Sequence, residues 1–401
     1  MSGRNRLEQV ASMSSIRRRS SLGYFNPLTG LSVALTLLAG VGCTSTEGIV
    51  AERLRCVVDT SGSSIVLQVD TSITLDQPDL FNVAVDSRGE VYASPTRGGS
   101  LMHWSASGVL LPMIGSMGEG PGQFAGGNIL PFVVDGDTLY SRDNHRHWVV
   151  YGPDHRFVRF APLGPISASS PMATQFTKDG LILSSDQNGQ ERYSILLVDR
   201  SGAIVRRIRA LGEPQRGSDP LRAAFAAEDG TFWVGPEIYS RGGYSVEQWD
   251  STGRVVRSIR RSVPWFIADS LIRPFGKEEP GGEGGERPFL FPRVQQVASD
   301  VHGRLWVVTT VPKTPDARDD IMNAKDILTK YSVSAQVLEK HVEVFDLGKN
   351  VVIASAVFPY GFLLMPNARD AVHITEDTTT GFRRAVRLTL RLADSSGASC
   401  R

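Results

Sequence analysis

The sequence lacks the charge bias of a nucleic-acid-binding protein. Its 401 residues contain 43 Lys and Arg against 42 Asp and Glu, which gives a formal net charge of +1. Residues 1–42 hold five Arg and one Glu, so their removal would leave a net charge near −3, since +1 minus +4 is −3. Affinity for DNA or RNA depends on many cationic contacts with phosphates. We therefore expect no nucleic-acid partner.

The sequence also lacks the motifs that mark several enzyme classes. It contains no Gly-x-Ser-x-Gly motif, which excludes the usual nucleophile elbow of the α/β-hydrolases. Its Gly-rich stretch, residues 115–124, has no Lys-Ser/Thr pair of the kind that a P-loop uses to hold phosphates. We predict no bound cofactor and no catalytic residue from motifs of these kinds.

The apolar run before the first cysteine is too short to span a membrane. Leu28–Gly42 has fifteen residues, whereas a spanning helix needs about twenty. The run follows Arg17-Arg18-Arg19 and ends in small residues before Cys43, which resembles the lipobox of bacterial lipoproteins. We predict a lipoprotein signal peptide over residues 1–42, lipidation of Cys43 and an envelope location facing the periplasm or cell surface. An ordinary secretion signal cleaved nearby is the alternative.

The rest of the chain has few long helical periods and many turn residues, with 40 Gly and 22 Pro. Two markers alternate along it: a tight Asp/Gly turn before an aromatic or aliphatic strand, and a hydrophobic strand end before a polar turn. The second marker recurs at Trp104, Tyr151, Val198 and Trp249, in steps of 47, 47 and 51 residues. This is the period of a propeller blade with four strands.

One copy of the repeat, residues 114–151, is nearly complete. A Gly-rich loop ending in Gly122-Gln123-Phe124 is followed by a strand, an Asp-Gly turn, a tyrosine strand and Asp143-Asn144-His145-Arg146. This pattern resembles the NHL repeat, and the chain is similar to the NHL/TolB-like group. The resemblance implies a propeller fold. It does not select a function, because propellers of this type include both enzymes and binding scaffolds.

We therefore predict an all-β fold, a six-bladed β-propeller of four-stranded antiparallel blades over residues 63–393. A tether, residues 43–62, would precede it and a tail, residues 394–401, would follow it. Two irregular inserts are expected, at residues 264–292 and 312–330. The first strand of each unit is expected to be the inner one: Phe81–Val85, Ile129–Val134, Ala173–Phe176, Ala223–Ala227, Val294–Ala298 and Phe362–Met365.

The last unit contains only three strands, and an open ring would leave unpaired strand edges. We therefore assign Ser63–Leu75 as its outer strand, antiparallel to Arg383–Leu392. Cys56 precedes the first of these strands by seven residues and Cys400 follows the second by eight. In an oxidising compartment this arrangement predicts a Cys56–Cys400 disulfide at the seam of the ring, with two free thiols as the alternative.

The densest group of potential metal ligands in the sequence is Asp143, His145, His147 and His155. Zinc would need three such ligands and an open fourth position. Polar residues that cap a hairpin are the alternative, and we assign no metal site. The predicted inner strands contain no carboxylate, which argues against the metal-dependent hydrolases that share this fold.

The first insert concentrates large aromatic residues around a Gly-rich centre. Aromatic side chains on loops of a rigid scaffold are suited to capturing a partner, although a lid packed on the blade mouth is an equal alternative. We predict a non-catalytic envelope scaffold that binds a protein, peptide or glycan; the alternative is a lactonase-like metal-dependent hydrolase or lyase. The candidate binding residues are Trp265, Phe266, Phe275, Phe289 and Phe291.

Overall fold

The computed structural model describes most of the chain beyond residue 64, and the described residues belong to one compact unit, Ser45–Arg401. They are 65–75, 80–95, 99–125, 129–133, 137–142, 147–162, 174–177, 179, 182–185, 193–201, 203–210, 224–227, 229–235, 244–266, 292–314, 317–323, 333–365, 368–376 and 383–394.

The strands form sheets that follow one another along the chain, and we number these sheets 1 to 6. The first strand is β1 (Ile65–Leu75), which joins sheet 6. Sheet 1 contains β2 (Leu80–Val85), β3 (Val91–Pro95) and β4 (Met102–Trp104). A short parallel ribbon follows, made of β5 (Ser116–Met117) and β6 (Gln123–Phe124).

The next four sheets each have four antiparallel strands in chain order. Sheet 2 contains β7 (Leu130–Val133), β8 (Leu139–Arg142), β9 (His147–Tyr151) and β10 (Phe157–Pro162), and sheet 3 contains β11 (Thr174–Phe176), β12 (Ile182–Ser185), β13 (Tyr193–Val198) and β14 (Ile204–Ala210). Sheet 4 contains β15 (Ala224–Ala226), β16 (Phe232–Val234), β17 (Tyr244–Trp249) and β18 (Val255–Arg261), and sheet 5 contains β19 (Arg293–Ser299), β20 (Leu305–Pro312), β21 (Leu338–Asp346) and β22 (Val351–Pro359).

Sheet 6 joins the two ends of the described chain. It contains β23 (Phe362–Leu364), β24 (Asp370–Glu376) and β25 (Arg383–Asp394), with β1 added beside β25. The pairing of β1 with β25 is antiparallel and runs from Ile65 opposite Asp394 to Leu75 opposite Ala385. The predicted closure by an N-terminal strand is therefore confirmed.

The sheets are buried on both faces, which explains why some of their middle strands, such as β9 and β16, are apolar along nearly their whole length. In β20, Trp306 and Val308 contribute to the cluster shared with sheet 6, while Leu305 and Val307 contribute to the cluster shared with sheet 4. Successive side chains of a strand point to opposite faces, so one strand supplies two cores.

Each neighbouring pair of sheets shares one such cluster among the described residues. The clusters join sheets 6 and 1, 1 and 2, 2 and 3, 3 and 4, 4 and 5, and finally 5 and 6. The predicted inner strands are also confirmed as end strands of their sheets, now β2, β7, β11, β15, β19 and β23. This succession of small antiparallel sheets is a β-propeller fold.

The prediction of six four-stranded blades is corrected by sheet 1. The described residues form five four-stranded blades, and sheet 1 has only three strands among them. After Trp104 the chain makes isolated bridges, one from Leu110 to Trp104 and one from Ile114 to Leu101, instead of a fourth strand. Pro112 lies between the two bridges, and because it has no N–H it cannot donate to a ladder.

The second predicted insert contains one short helix among the described residues, α1 (Ala317–Met322), and a helical turn at residues 333–337. No helix in the described part of the chain is long and apolar enough to cross a membrane. The predicted signal peptide, the lipidation of Cys43 and the Cys56–Cys400 disulfide lie outside the described residues and stay predictions.

Candidate functional site

The candidate site is built on the tight turn between β2 and β3. Gly89 adopts a φ of 79°, and its amide donates to the Asp86 carbonyl oxygen at 3.1 Å. The buried Asp86 carboxylate caps the turn, because its Oδ1 accepts from the amides of Arg88 at 3.0 Å and Glu90 at 2.8 Å. The turn therefore fixes where the Glu90 side chain leaves the backbone.

A turn with the same aspartate cap occurs between β19 and β20 of sheet 5, but the fourth residue after the aspartate is different there. Asp300 caps that turn and also accepts from the indole of Trp306 at 3.1 Å. In sheet 1, Asp86 likewise accepts from an aromatic side chain six residues later, at 3.0 Å. The fourth residue after the aspartate is Arg304 in sheet 5 and Glu90 in sheet 1. The aspartate cap thus stabilises the turn in both sheets. In sheet 1, Glu90 adds a second carboxylate beside Asp86.

Three side chains of sheet 1 converge on Oε2 of Glu90. Arg88 Nη2 donates to it at 2.9 Å, His103 Nε2 at 3.0 Å, and the Tyr92 hydroxyl lies at 3.2 Å. The ring of Tyr92 stacks on that of His103 with centroids 4.8 Å apart. Burial tends to raise the pKa of Glu90, but the His103 hydrogen bond and the Arg88 charge outweigh it and lower that pKa. Glu90 is therefore an anion at neutral pH.

A second histidine reaches this group from sheet 2. His155 lies in the turn between β9 and β10 with a φ of 60°, a left-handed conformation that His adopts more readily than most residues. Its Nε2 lies 2.9 Å from the Tyr92 hydroxyl and 3.8 Å from Glu90 Oε2. Burial, helped by the charge of His103, lowers the pKa of His155, so its imidazole is neutral at pH 7.

The arrangement brings two imidazoles and one carboxylate together. One potential ligand atom from each of Glu90, His103 and His155 lies within 4.8 Å of the other two. This is a donor set that divalent transition metals use in proteins. The phenol of Tyr92 stays protonated, because burial and the charges of Asp86 and Glu90 raise its pKa.

The group forms the floor of an open cleft of about 540 Å³ between sheets 1 and 2. Its other walls come from the irregular stretch after β4 and from the β9–β10 turn, through Leu111, Pro112, Met113, Ile114, Gly115, Pro153 and Asp154. The irregular stretch exposes apolar side chains, with Val109 60%, Leu110 46% and Met113 63% accessible, and of these three Met113 lines the cleft. The cleft therefore has a charged floor and an apolar rim.

The histidine-rich stretch singled out from the sequence is only partly described. Asp143 and His145 lie outside the described residues. His147 lies on β9, where its ring meets the edge of Phe160 with centroids 4.7 Å apart, and it is not part of the ligand group. Of the two histidines of this stretch that the structure describes, His155 reaches the cleft.

The predicted aromatic binding residues are likewise split. Trp265 and Phe266 pack against Tyr244 with ring centroids 5.3 and 5.4 Å away, and Trp265 also lies 4.5 Å from His341. These two rings cover the cluster between sheets 4 and 5, as the lid alternative expects. Phe275, Phe289 and Phe291 lie outside the described residues.

Sequence reasoning missed Glu90 and His103. Glu90 follows a turn that reads as purely structural, and His103 comes one residue before the strand-end marker Trp104. One signal was present: His155 comes four residues after the next marker, Tyr151, so the two histidines are about one repeat apart. Histidines at matching ends of consecutive units are brought together when the sheets pack side by side.

No protein-family model matches the sequence, and no curated protein matches it. Among solved structures, a DUF4221 family member from Bacteroides vulgatus is similar with a TM-score of 0.52 and 10% identity, covering 85% of this chain and 99% of that chain. A candidate exported protein from Bacteroides fragilis gives a TM-score of 0.50 and 12% identity, covering 84% of this chain and 98% of that chain.

A virginiamycin B lyase from Staphylococcus aureus is more distant, with a TM-score of 0.39 and 12% identity over 81% of this chain and 99% of that chain. At identities this low, the likeness to the two Bacteroides structures shows the fold alone. A fold of this kind serves many functions, so the function has to be argued from the cleft.

Proposed function

We propose that this chain is an exported, non-catalytic binding protein of the cell envelope that holds a peptide segment of a partner in the cleft between sheets 1 and 2. The observation that carries the proposal is the apolar rim above a charged floor. Exposed apolar side chains clustered in one stretch mark binding surfaces, and methionine adapts to varied partners. A volume of about 540 Å³ lies within the range of ligand sites.

The floor of the cleft explains why a peptide is the preferred ligand class. Arg88 and Glu90 offer one cation and one anion, and Met113 offers an apolar contact above them. A peptide supplies backbone donors and acceptors for the floor together with apolar side chains for the rim. A glycan would leave the rim unused, and a purely apolar ligand would offer no polar group to the charged floor.

The irregularity of sheet 1 supports this role. We propose that sheet 1 is the sixth blade of an NHL-like ring and that residues 109–114 stand in the place of its fourth strand. The bridges from Leu110 to Trp104 and from Ile114 to Leu101 hold this stretch against the sheet edge. Because the stretch is not a regular strand, its side chains form the wall of the cleft instead of an outer edge.

The location of the partner follows from the leader. We propose that lipidation of Cys43 anchors the propeller to a membrane and that a Cys56–Cys400 disulfide secures the ring seam. The partner would then be an envelope protein within reach of the anchored propeller. An exported lipoprotein with an apolar-rimmed cleft fits a scaffold that captures segments of other proteins.

The proposal is tested with a phage-displayed peptide library selected on the purified protein. Enriched peptides are titrated by fluorescence anisotropy against the unchanged chain and against a Leu111→Asp/Met113→Asp variant, which changes two residues that line the cleft. We expect the variant to weaken binding at least about tenfold, because charge on the rim removes roughly 1.4 kcal/mol or more of apolar contact. A Val351→Asp variant, at a 46% exposed position on β22, is the matched control and should bind normally. Absence of any enriched peptide, or binding indifferent to the rim variant, would contradict the proposal.

A second candidate function is a metal-dependent hydrolase or lyase of the same fold, and the Glu90–His103–His155 donor set favours it. The enzyme hypothesis predicts catalytic turnover of a substrate, whereas the scaffold hypothesis predicts binding alone. Metal-dependent hydrolysis of a lactone or ester panel, abolished by Glu90→Gln, would support the enzyme and displace the scaffold.

A further inference from the structure

We propose that Glu90, His103 and His155 form a binding site for one divalent transition metal ion of the zinc class, with an open coordination position facing the cleft. The site would join sheet 1 to sheet 2, since His155 comes from the β9–β10 turn and the other two ligands come from sheet 1. The inference does not depend on the peptide-binding role of the rim.

The spacing of the ligand atoms suits a small tetrahedral ion. Glu90 Oε2 lies 3.0 Å from His103 Nε2 and 3.8 Å from His155 Nε2, and all three ligand atoms lie within 4.8 Å. Zinc bonds to nitrogen and oxygen of about 2.0–2.1 Å place tetrahedral ligands roughly 3.3 Å apart. The side chain of His155 is 21% exposed in its turn, and a rotation of this side chain toward Glu90 would shorten its distance to the carboxylate.

The donor types select the class of metal. Calcium and magnesium prefer oxygen ligands in numbers that one carboxylate cannot supply. Two imidazoles and one carboxylate suit zinc and its neighbours cobalt, nickel and copper. Three protein ligands leave a fourth position in a tetrahedral site, and here that position faces the cavity lined by the same three residues.

The local charge provides a second, independent argument. Arg88 is the cation of the group and lies 2.9 Å from Asp86 Oδ2, 2.9 Å from Glu90 Oε2 and 3.7 Å from Asp137 Oδ2. When both imidazoles are neutral, as metal ligation requires, three carboxylates and one guanidinium sum to −2, a charge that one divalent cation would neutralise. The Asp86 carboxylate is fully buried, so its charge is poorly screened by solvent.

Groups around the ligands are placed to orient them. The Tyr92 hydroxyl lies 3.0 Å from Asp86 Oδ2 as well as 2.9 Å from His155 Nε2. When a metal takes the Nε2 lone pair of His155, this hydroxyl keeps Asp86 as its acceptor. Arg88 holds the carboxylates of both Asp86 and Glu90, and the Tyr92 ring stacks on His103. Residues that hydrogen bond to the ligands, without binding the metal themselves, fix the orientation of the ligands in metal sites.

The alternative is a purely structural network in which hydrogen bonds among the same residues suffice. Zinc binding distinguishes the two. The untagged, full-length protein is stripped with a chelator and titrated with zinc by calorimetry, and bound metal is counted by mass spectrometry. We expect one zinc per chain with a dissociation constant in the micromolar range or tighter, and a zinc-dependent rise in Tm.

Substitutions of the proposed ligands test whether zinc binds to Glu90, His103 and His155. His155→Asn keeps a residue that tolerates a left-handed backbone, and Glu90→Gln keeps the shape of the side chain. Each should weaken zinc binding at least about tenfold while the zinc-free fold is retained, as judged by circular dichroism. His341→Asn is the matched control, since His341 also pairs with a glutamate, Glu339, at 2.7 Å, and it should bind zinc like the unchanged chain.

A spectroscopic measurement on the unchanged chain tests the site without any variant, so it does not depend on whether the variants fold. Cobalt substituted into the unchanged chain should give the visible absorption of a four-coordinate site, and zinc X-ray absorption should show two imidazoles and no sulfur. Absence of stoichiometric zinc would overturn the inference. So would binding that persists in both ligand variants, binding lost equally in His341→Asn, or a sulfur-ligated spectrum.

Discussion

Arg387 in β25 donates from Nη1 to the carbonyl oxygen of Gly89 at 2.7 Å, although the two residues are 298 positions apart in the chain. The same guanidinium donates to the carbonyl oxygen of Ala106 at 3.1 Å and forms a buried ion pair with Asp370 at 2.8 Å. A Cβ added at Gly89 would lie 2.8 Å from this guanidinium. The last blade is thus tied to the capped turn that carries the candidate site.

Replacing Arg387 should weaken this tie strongly. Arg387→Met would remove the charged partner that lies 2.8 Å from the Asp370 carboxylate, which is only 6% exposed, and we expect a loss of about 3 kcal/mol in the free energy of unfolding. Arg391→Met is the matched control, because Arg391 is 58% exposed where it pairs with Asp70, and its loss should stay below about 1 kcal/mol. Chemical denaturation measures both, and equal losses would contradict the role given to Arg387.

The ion pair between Arg261 and Glu343 should show strong coupling. Glu343 is 5% exposed, and Arg261 of the neighbouring sheet reaches its Oε1. Arg261→Met alone should cost about 3 kcal/mol, because it leaves a buried charge unpaired. The Arg261→Met/Glu343→Met double variant should recover most of that loss. A double-mutant cycle measured by denaturation checks this, and additive losses would show that the pair does not interact.

Stability should fall in acid through His373. This side chain is almost fully buried, its Nδ1 has no hydrogen-bond partner among the described residues, and burial lowers its pKa to about 4. The unfolded chain takes up a proton below about pH 6.5, whereas the folded chain does so only near pH 4. The unfolded state therefore binds more protons in this window, and stability is lost as pH falls through it.

The shift of about 2.5 pKa units from the usual 6.5 corresponds to a loss of up to about 3 kcal/mol at the acid end of the window. His373→Gln removes this titration, so the difference in unfolding free energy between pH 7.5 and pH 4.5 should shrink in the variant. Denaturation at the two pH values tests this. An unchanged pH dependence would assign the acid sensitivity to other groups.

The sequence predicts the strands well because their signals are local. The Asp86–Gly89 and Asp300–Gly303 turns are recognisable from their residues, and short strands with two buried faces, such as Phe232–Val234, are apolar throughout. The addition of β1 to β25 was predictable because an open ring leaves unpaired edges. These features need no knowledge of which side chains meet across blades.

The site was not predictable in the same way. Glu90 and His103 lie in one sheet and His155 in the next, so their meeting depends on how two blades pack. The missing fourth strand of sheet 1 depends on Pro112 and on the bridges of Leu110, which a repeat count cannot reveal. The candidate site is therefore determined by contacts between neighbouring blades, which the sequence of a single repeat does not reveal.

Ring closure by the first strand is the central claim, and a cross-link between Gln68 and Arg391 tests it most directly. These residues face each other in the β1–β25 pairing, and opposite residues of antiparallel strands lie within the Cα separation that a disulfide needs. With Cys56 and Cys400 changed to serine, we expect Gln68→Cys/Arg391→Cys to form a disulfide on mild oxidation, detected by mass spectrometry of a non-reduced digest. Gln68→Cys/Thr389→Cys, two residues out of register, should form little. Equal cross-linking of both pairs, or none in the first, would contradict the closure.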